Sequence, residues 1–147
     1  MIDIKATSLS ETDTAYGLTR ELMEHHNALD IFTMTSMRFR ELIESGTLIS
    51  FIAYADNIPV GVMNAFYKYT TFSGRKIFYI EDLYISESFR GHGIGGKFIE
   101  KAREIAVSAD CVQIELKCAE WNKKSAGFYE SHGLKPDTEW IVYTLNI

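Results

Sequence analysis

A strand that runs through a short polar connection into a glycine-rich turn, and from there directly into an amphipathic helix, constrains this chain most. It reads Ile80-Glu81-Asp82-Leu83-Tyr84-Ile85, then Arg90-Gly91-His92-Gly93-Ile94-Gly95-Gly96, then Lys97-Phe98-Ile99. Closely spaced glycines let a backbone turn without Cβ clashes. Successive N–H groups can then converge on one concavity, to which a helix N-terminus adds partial positive charge. A phosphate or pyrophosphate is the natural guest. Ile94, Phe98, Ile99, Ala102, Ile105 and Ala106 recur at helical spacing, so a helix over 95–107 lays one face on a sheet.

The rest of the chain supplies that sheet. Ile2, Ile4 and Ala6 alternate with polar residues, predicting a first strand. Ser8 and Ser10, followed by Glu11 and Asp13, mark a helix start, and the helix runs over 11–26 with Ala15, Leu18 and Leu22 inward. His25 and His26 end it, a favourable place for positive charge. A second helix over 36–44 stops at Gly46. Strands follow at 48–55, 60–69 and 76–85, joined by turns at Asp56-Asn57 and at Ser73-Gly74-Arg75, which predicts an antiparallel meander. After the glycine turn, alternation over 112–118 gives another strand, reached by a parallel crossover. A short helix over 122–132 ends at Gly133, and 140–147 reads as a final strand. The expected class is α/β (α+β), in the order β-α-α-β-β-β-α-β-α-β: a mixed, mostly antiparallel sheet flanked by helices, in one domain over residues 1–147.

Charge and composition remove several function classes. The net charge of −5 argues against a nucleic-acid surface and is compatible with a cationic substrate. No apolar run reaches the roughly 20 residues that span a bilayer, and the first residues lack a signal-peptide pattern, so a cytoplasmic protein with no membrane partner is expected. Cys111 and Cys118 flank one predicted strand, too far apart for a disulfide, and read as small buried apolar residues. No Cys/His spacing suggests a metal site.

The pattern Arg90-x-x-Gly93-x-Gly95, after a strand and opening a helix, resembles the acyl-CoA pyrophosphate motif of the GNAT acetyltransferases. A dinucleotide fold would need a parallel strand before the turn, and a P-loop would need Gly-Lys-Ser/Thr at its end; neither is present. A second block, from Glu120-Trp121-Asn122 to Phe128-Tyr129-Glu130-Ser131-His132-Gly133, is similar to the family's other cofactor motif. The stretch 67–85, with the two blocks, looks like the diamine (spermidine/spermine) N-acetyltransferase branch. That likeness is clear over 66–133 and faint in the first 50 residues, which carry much of the acceptor site in this family.

The resemblance implies the GNAT fold, acetyl-CoA as co-substrate, a primary amine as acceptor, and a homodimer. It implies cofactor contacts from Leu83, Tyr84 and Ile85, from Arg90, Gly91, His92, Gly93, Ile94, Gly95 and Gly96 in the turn, and from Asn122, Ser125 and Tyr129. Arg90 either reaches a phosphate or braces the turn. Leu83 N–H is the expected donor to the thioester carbonyl, Glu81 the base acting through water, and Tyr129 the general acid. A base is needed because an alkyl ammonium is only about one part in a thousand neutral near pH 7.5. Strand alternation puts Glu81 and Asp82 on opposite faces, so Asp82 is either a structural hydrogen-bonder or a second substrate carboxylate. Glu24 and Asp30 are candidates to hold a second ammonium of a diamine. The alternative acceptors are a lysine-like amino acid or a protein N-terminus, with Lys68 or Arg75 serving a carboxylate. A non-catalytic acyl-CoA-binding sensor is the reading from another class.

Overall fold

The computed structural model describes all residues, Met1–Ile147, in two compact units, Met1–Lys117 and Cys118–Ile147. The first unit holds a sheet in the order β1 (Ile2–Ala6), β2 (Ile49–Ala55), β3 (Ile58–Tyr69), β4 (Lys76–Ile85), β5 (Cys111–Leu116). The strands β1 to β4 are antiparallel neighbours, and β5 joins β4 in parallel, as the predicted crossover requires. Asp56 and Asn57 both have positive φ, 48° and 68°, the geometry of the tight hairpin joining β2 to β3.

Helices α1 (Thr12–His25) and α2 (Ser36–Glu44) cover one face. A 3-10 turn at Leu9–Glu11 precedes α1, where the Glu11 carboxylate accepts the Ser8 N–H at 3.0 Å. Thr35 caps α2 by accepting the Arg38 N–H at 3.1 Å, and Gly46 ends it at φ 73°. Ala15, Leu18, Leu22 and Phe39 pack with Ile52, Val62 and Tyr84. Alternation sends Gly61 and Met63 to the other face. There α3 (Ile94–Ser108) lays Phe98 so close that a Cβ on Gly61 would stand 3.2 Å from its ring and 2.7 Å from the Tyr84 carbonyl oxygen. Gly61 therefore admits the close approach that seats α3 on the sheet.

The second unit contains α4 (Lys123–Ser131), capped by Asn122 Oδ1, which accepts the Ser125 N–H at 3.1 Å. The final strand expected over 140–147 does not form. Ile141, Val142, Tyr143, Leu145 and Ile147 are exposed and irregular. The cysteines also depart from expectation: both are free, Cys111 is half-buried, and Cys118 lies exposed beyond the end of β5.

Candidate active site

Every feature of the glycine turn follows from backbone conformation. Gly91 and Gly93 have φ of 81° and 78°, the left-handed region in which a side chain is strained. A Cβ at either would meet no atom within 4 Å, so conformation and not crowding demands glycine here. Gly93 is the N-cap of α3, and the Lys97 N–H reaches its carbonyl at 3.2 Å. The N–H groups of residues 94–96 precede that first helical bond and carry the positive end of the helix dipole. Arg90 Nε donates to the Ile85 carbonyl at 2.9 Å, and its guanidinium lies 5.7 Å from the Tyr84 ring centroid. His92 is exposed, with Nδ1 3.2 Å from the Phe89 carbonyl.

The strand that feeds this turn changes character halfway. Its parallel pairing with β5 covers Lys76 to Ile80 and stops at Leu116. Beyond that point β4 pairs with β3 alone, so Leu83, Tyr84 and Ile85 lie along an edge that β5 leaves open.

At the same point the β3–β4 register shifts. Asn64 stands opposite Asp82 and Ala65 opposite Ile80, leaving Glu81 as the extra residue of a bulge. The bulge overturns the expectation of opposite faces for the two acids. Both Glu81 and Asp82 line one cavity on the α1 side of the sheet. Glu81 is exposed and Asp82 half-buried. Burial pushes the Asp82 carboxyl up to about 6 from 3.8; the hydrogen bond from Asn64 opposes this, and the Glu81 charge adds to it.

Asn64 is fully buried and joins three elements. Its Nδ2 donates to Thr19 Oγ1 of α1 at 2.8 Å and to Asp82 Oδ2 at 2.9 Å. Thr19 Oγ1 in turn donates to the Ala15 carbonyl at 2.8 Å. Asn64 Oδ1 has no partner.

The cavity has a volume of about 540 Å³. Its apolar wall includes Met23, Phe32, Met34, Phe39 and Leu42, with Glu81 and Asp82 on the sheet side and Arg38 from α2. Arg38 Nη1 also donates to Glu41 Oε2 at 3.0 Å. Sequence reasoning missed Arg38, Thr19 and Asn64. Nothing local marks Arg38 or Asn64 as cavity residues. Glu24 and Asp30 are exposed and lie outside the cavity lining. Lys68 and Arg75, the cations considered for a substrate carboxylate, pair with Glu115 and Asp110, each at 2.7 Å.

In the second unit, burial pushes the Tyr129 phenol up to about 12, with the Cys118 thiol adding to the shift. Asn122 and Ser125 are bonded to each other at the helix cap.

A mixed sheet whose fourth strand parts from the fifth, followed by a glycine turn opening a helix, defines an acyltransferase fold. The chain belongs to the Acetyltransferase (GNAT) family, whose model matches residues 15–134. It is 40% identical over 80 residues to a thialysine N-epsilon-acetyltransferase of Sus scrofa, covering 54% of this chain and 46% of that protein. It is 27% identical over 92 residues to spermidine/spermine N(1)-acetyltransferase-like protein 1 of Homo sapiens, covering 60% of this chain and 13% of that one. The chain thus spans about half the length, or less, of these relatives. Its fold matches that of an aminoglycoside acetyltransferase from an uncultured soil metagenomic sample with a TM-score of 0.83 at 20% identity, covering 99% of both chains. No helix is long and apolar enough to cross a membrane.

Proposed function

We propose that this chain transfers an acetyl group from acetyl-CoA to a primary amine held at the Glu81/Asp82 end of the cavity. The observation that carries this reading is the bulge, which turns two adjacent carboxylates into one cavity on the strand that leads to the glycine turn. The positive-φ glycines and the start of α3 fit a pyrophosphate. When bound, acetyl-CoA supplies an activated thioester. The open edge of β4 supports Leu83 N–H as the donor to the thioester oxygen, where such a bond is worth most as charge develops. The carboxylate pair attracts the ammonium and removes its proton; by resemblance the base is Glu81. Tyr129, a phenol that stays protonated at neutral pH, is the proton donor to the departing sulfur. Tyr129→Phe is expected to lower turnover at least about 10-fold with acetyl-CoA affinity nearly unchanged. Unaltered turnover removes Tyr129 from that role.

The leading acceptor is a diamine or polyamine, in which an ammonium meets the acidic end. Arg38 favours a second reading: an amino acid with a side-chain amine, its carboxylate facing the guanidinium and its amine facing Glu81 and Asp82. Thiol release measured with a panel of diamines and diamino acids decides between them. On the second reading, Arg38→Gln raises KM for the diamino acid and leaves that of the diamine unchanged. Acetyl-CoA binding without thiol release from any amine would instead identify a sensor.

A further inference from the structure

Strand β5 is tied to its neighbours by an ion pair at each end, and only one of the two lies where the sheet opens. At its start Arg75 Nη2 reaches Asp110 Oδ1 at 2.7 Å, and Arg75 Nε donates to the Asp110 carbonyl at 3.3 Å. Towards its end Lys68 Nζ donates to Glu115 Oε1, also at 2.7 Å. Glu115 stands opposite Tyr79, and the next pair, Ile80 with Leu116, is the last of the parallel ladder. Beyond it β4 is left with β3 alone, and the open edge through Leu83 begins. The end of a ladder is where strands fray, because its last residues are held from one side only.

The Lys68–Glu115 pair crosses three strands at that point. Lys68 belongs to β3, opposite Ile77, and reaches diagonally past Tyr79 of β4 to Glu115 of β5. Its ammonium lies 5.2 Å from the ring centroid of Tyr79, which is buried. Phe66, the cross-strand neighbour of Tyr79, packs its ring 5.0 Å away. Lys68 and Glu115 are 41% and 35% exposed, against 46% and 81% for Arg75 and Asp110. The pair at the opening is thus screened less by solvent, and its cation also rests on an aromatic face. Alternation along β3 puts Lys68 on the face where Asn64 meets α1, which is the face of the cavity.

We propose that Lys68 and Glu115 are positioning residues: their ion pair holds β5 to β4 through Ile80 and Leu116, and so fixes where the open edge for the acyl arm of acetyl-CoA begins. This rests on the reading that the thioester lies at Leu83. Without the ion pair β5 parts from β4 sooner, and the edge is no longer preorganised. The arm must then order the edge as it binds, which weakens acetyl-CoA binding. Glu81 keeps its role as base, and the amine keeps its affinity, since its cavity is built from α1, α2, the connection 31–35 and the bulge.

The test is calorimetric titration of the full chain with acetyl-CoA. Lys68→Met keeps a side chain over Tyr79 and removes the charge; Glu115→Gln keeps the shape. Each is expected to lose about 5-fold in acetyl-CoA affinity, the scale of one partly screened ion pair. Exchanging the charges, Lys68→Glu together with Glu115→Lys, should restore most of that loss. Arg75→Gln breaks the ion pair at the other end of β5, and should leave acetyl-CoA affinity unchanged even where it lowers Tm. Unchanged affinity in either single variant at the opening overturns the proposal. So does an equal loss in Arg75→Gln, which would mark general destabilisation, or a charge exchange that restores nothing. Thiol release by the parent chain is measured separately. A parent that binds acetyl-CoA and acetylates no amine overturns the acetyltransferase reading, while the ion pair is still judged by the titration; a parent that binds no acetyl-CoA overturns both.

Discussion

The glycine turn and the cavity lined by Glu81 and Asp82 both adjoin β4, and they are specified in different ways. The turn is built from backbone: Gly91 and Gly93 at positive φ, and the free N–H groups that open α3. Its chemistry is local, so neighbouring residues suffice to encode it. The cavity is built from side chains on α1, α2, the connection 31–35 and the bulge in β4. Its residues lie up to 63 positions apart, from Thr19 to Asp82, and converge only in the folded unit. A local device tolerates change everywhere except at its few constrained dihedrals. A convergent one is exposed to any change in packing beneath it.

The largest separation between the two regions is expected from Gly93→Val. A β-branched residue at φ 78° costs on the order of 1–2 kcal/mol and distorts the cradle. Acetyl-CoA affinity should fall on the order of 10-fold, with the amine's binding to the cavity unchanged, as titration of each ligand would show. Equal losses for both ligands would mean that the regions are not independent.

Gly61→Ala probes the opposite side of the sheet from the cavity. A Cβ there meets the Tyr84 carbonyl oxygen at 2.7 Å, and backbone cannot yield cheaply. Destabilisation of about 1–3 kcal/mol is expected in urea unfolding. A neutral result would mean that α3 and β4 shift readily, and that the cavity's strand is more pliable than the turn it feeds.

Asp82→Asn separates the stability of the acidic end from its chemistry. Burial raises the folded-state pKa of Asp82 from 3.8 to about 6. The folded state therefore binds the proton more tightly than the unfolded one. The resulting stabilisation is complete below about pH 4 and is lost as pH rises through about 6. Asparagine does not titrate, so the variant's gain in Tm over the parent should be larger at pH 8 than at pH 4.5. A pH-independent difference would show that Asp82 carries no such cost.

The smallest effect is expected remote from both regions. Tyr54 donates to Glu11 Oε1 at 2.7 Å, a bond that holds the start of α1 to β2. Tyr54→Phe should cost about 1 kcal/mol in urea unfolding and leave the kinetics untouched. An altered KM for the amine would mean that the entry to α1 controls the cavity after all.

Elements with strong periodicity were legible in the sequence. The meander, the crossover helix and the stops at Gly46 and Gly133 all stand where alternation and turn residues put them. So does the pairing of a strand end with a glycine turn. The bulge was not legible, because strict alternation assumes one residue opposite one. In its place Asn64 faces Asp82, and Glu81 is supernumerary. Arg38 was not legible as a cavity residue, since an arginine one turn into an amphipathic helix reads as surface. The tail over 140–147 erred in the other direction: its composition suits a strand, but it forms no ladder with the sheet.

What the sequence determined by itself is therefore the glycine turn and the order of the elements up to α4. Both depend on φ preferences and on periods of 2 and 3.6 residues, which short stretches carry completely. Only the tertiary structure decided which acids share a cavity, that Arg90 bonds the Ile85 carbonyl, and that Asn64 bonds Asp82. Each of those depends on register between strands and on contacts between distant elements. Register is a property of two strands' hydrogen bonds at once, and no single stretch of residues contains it.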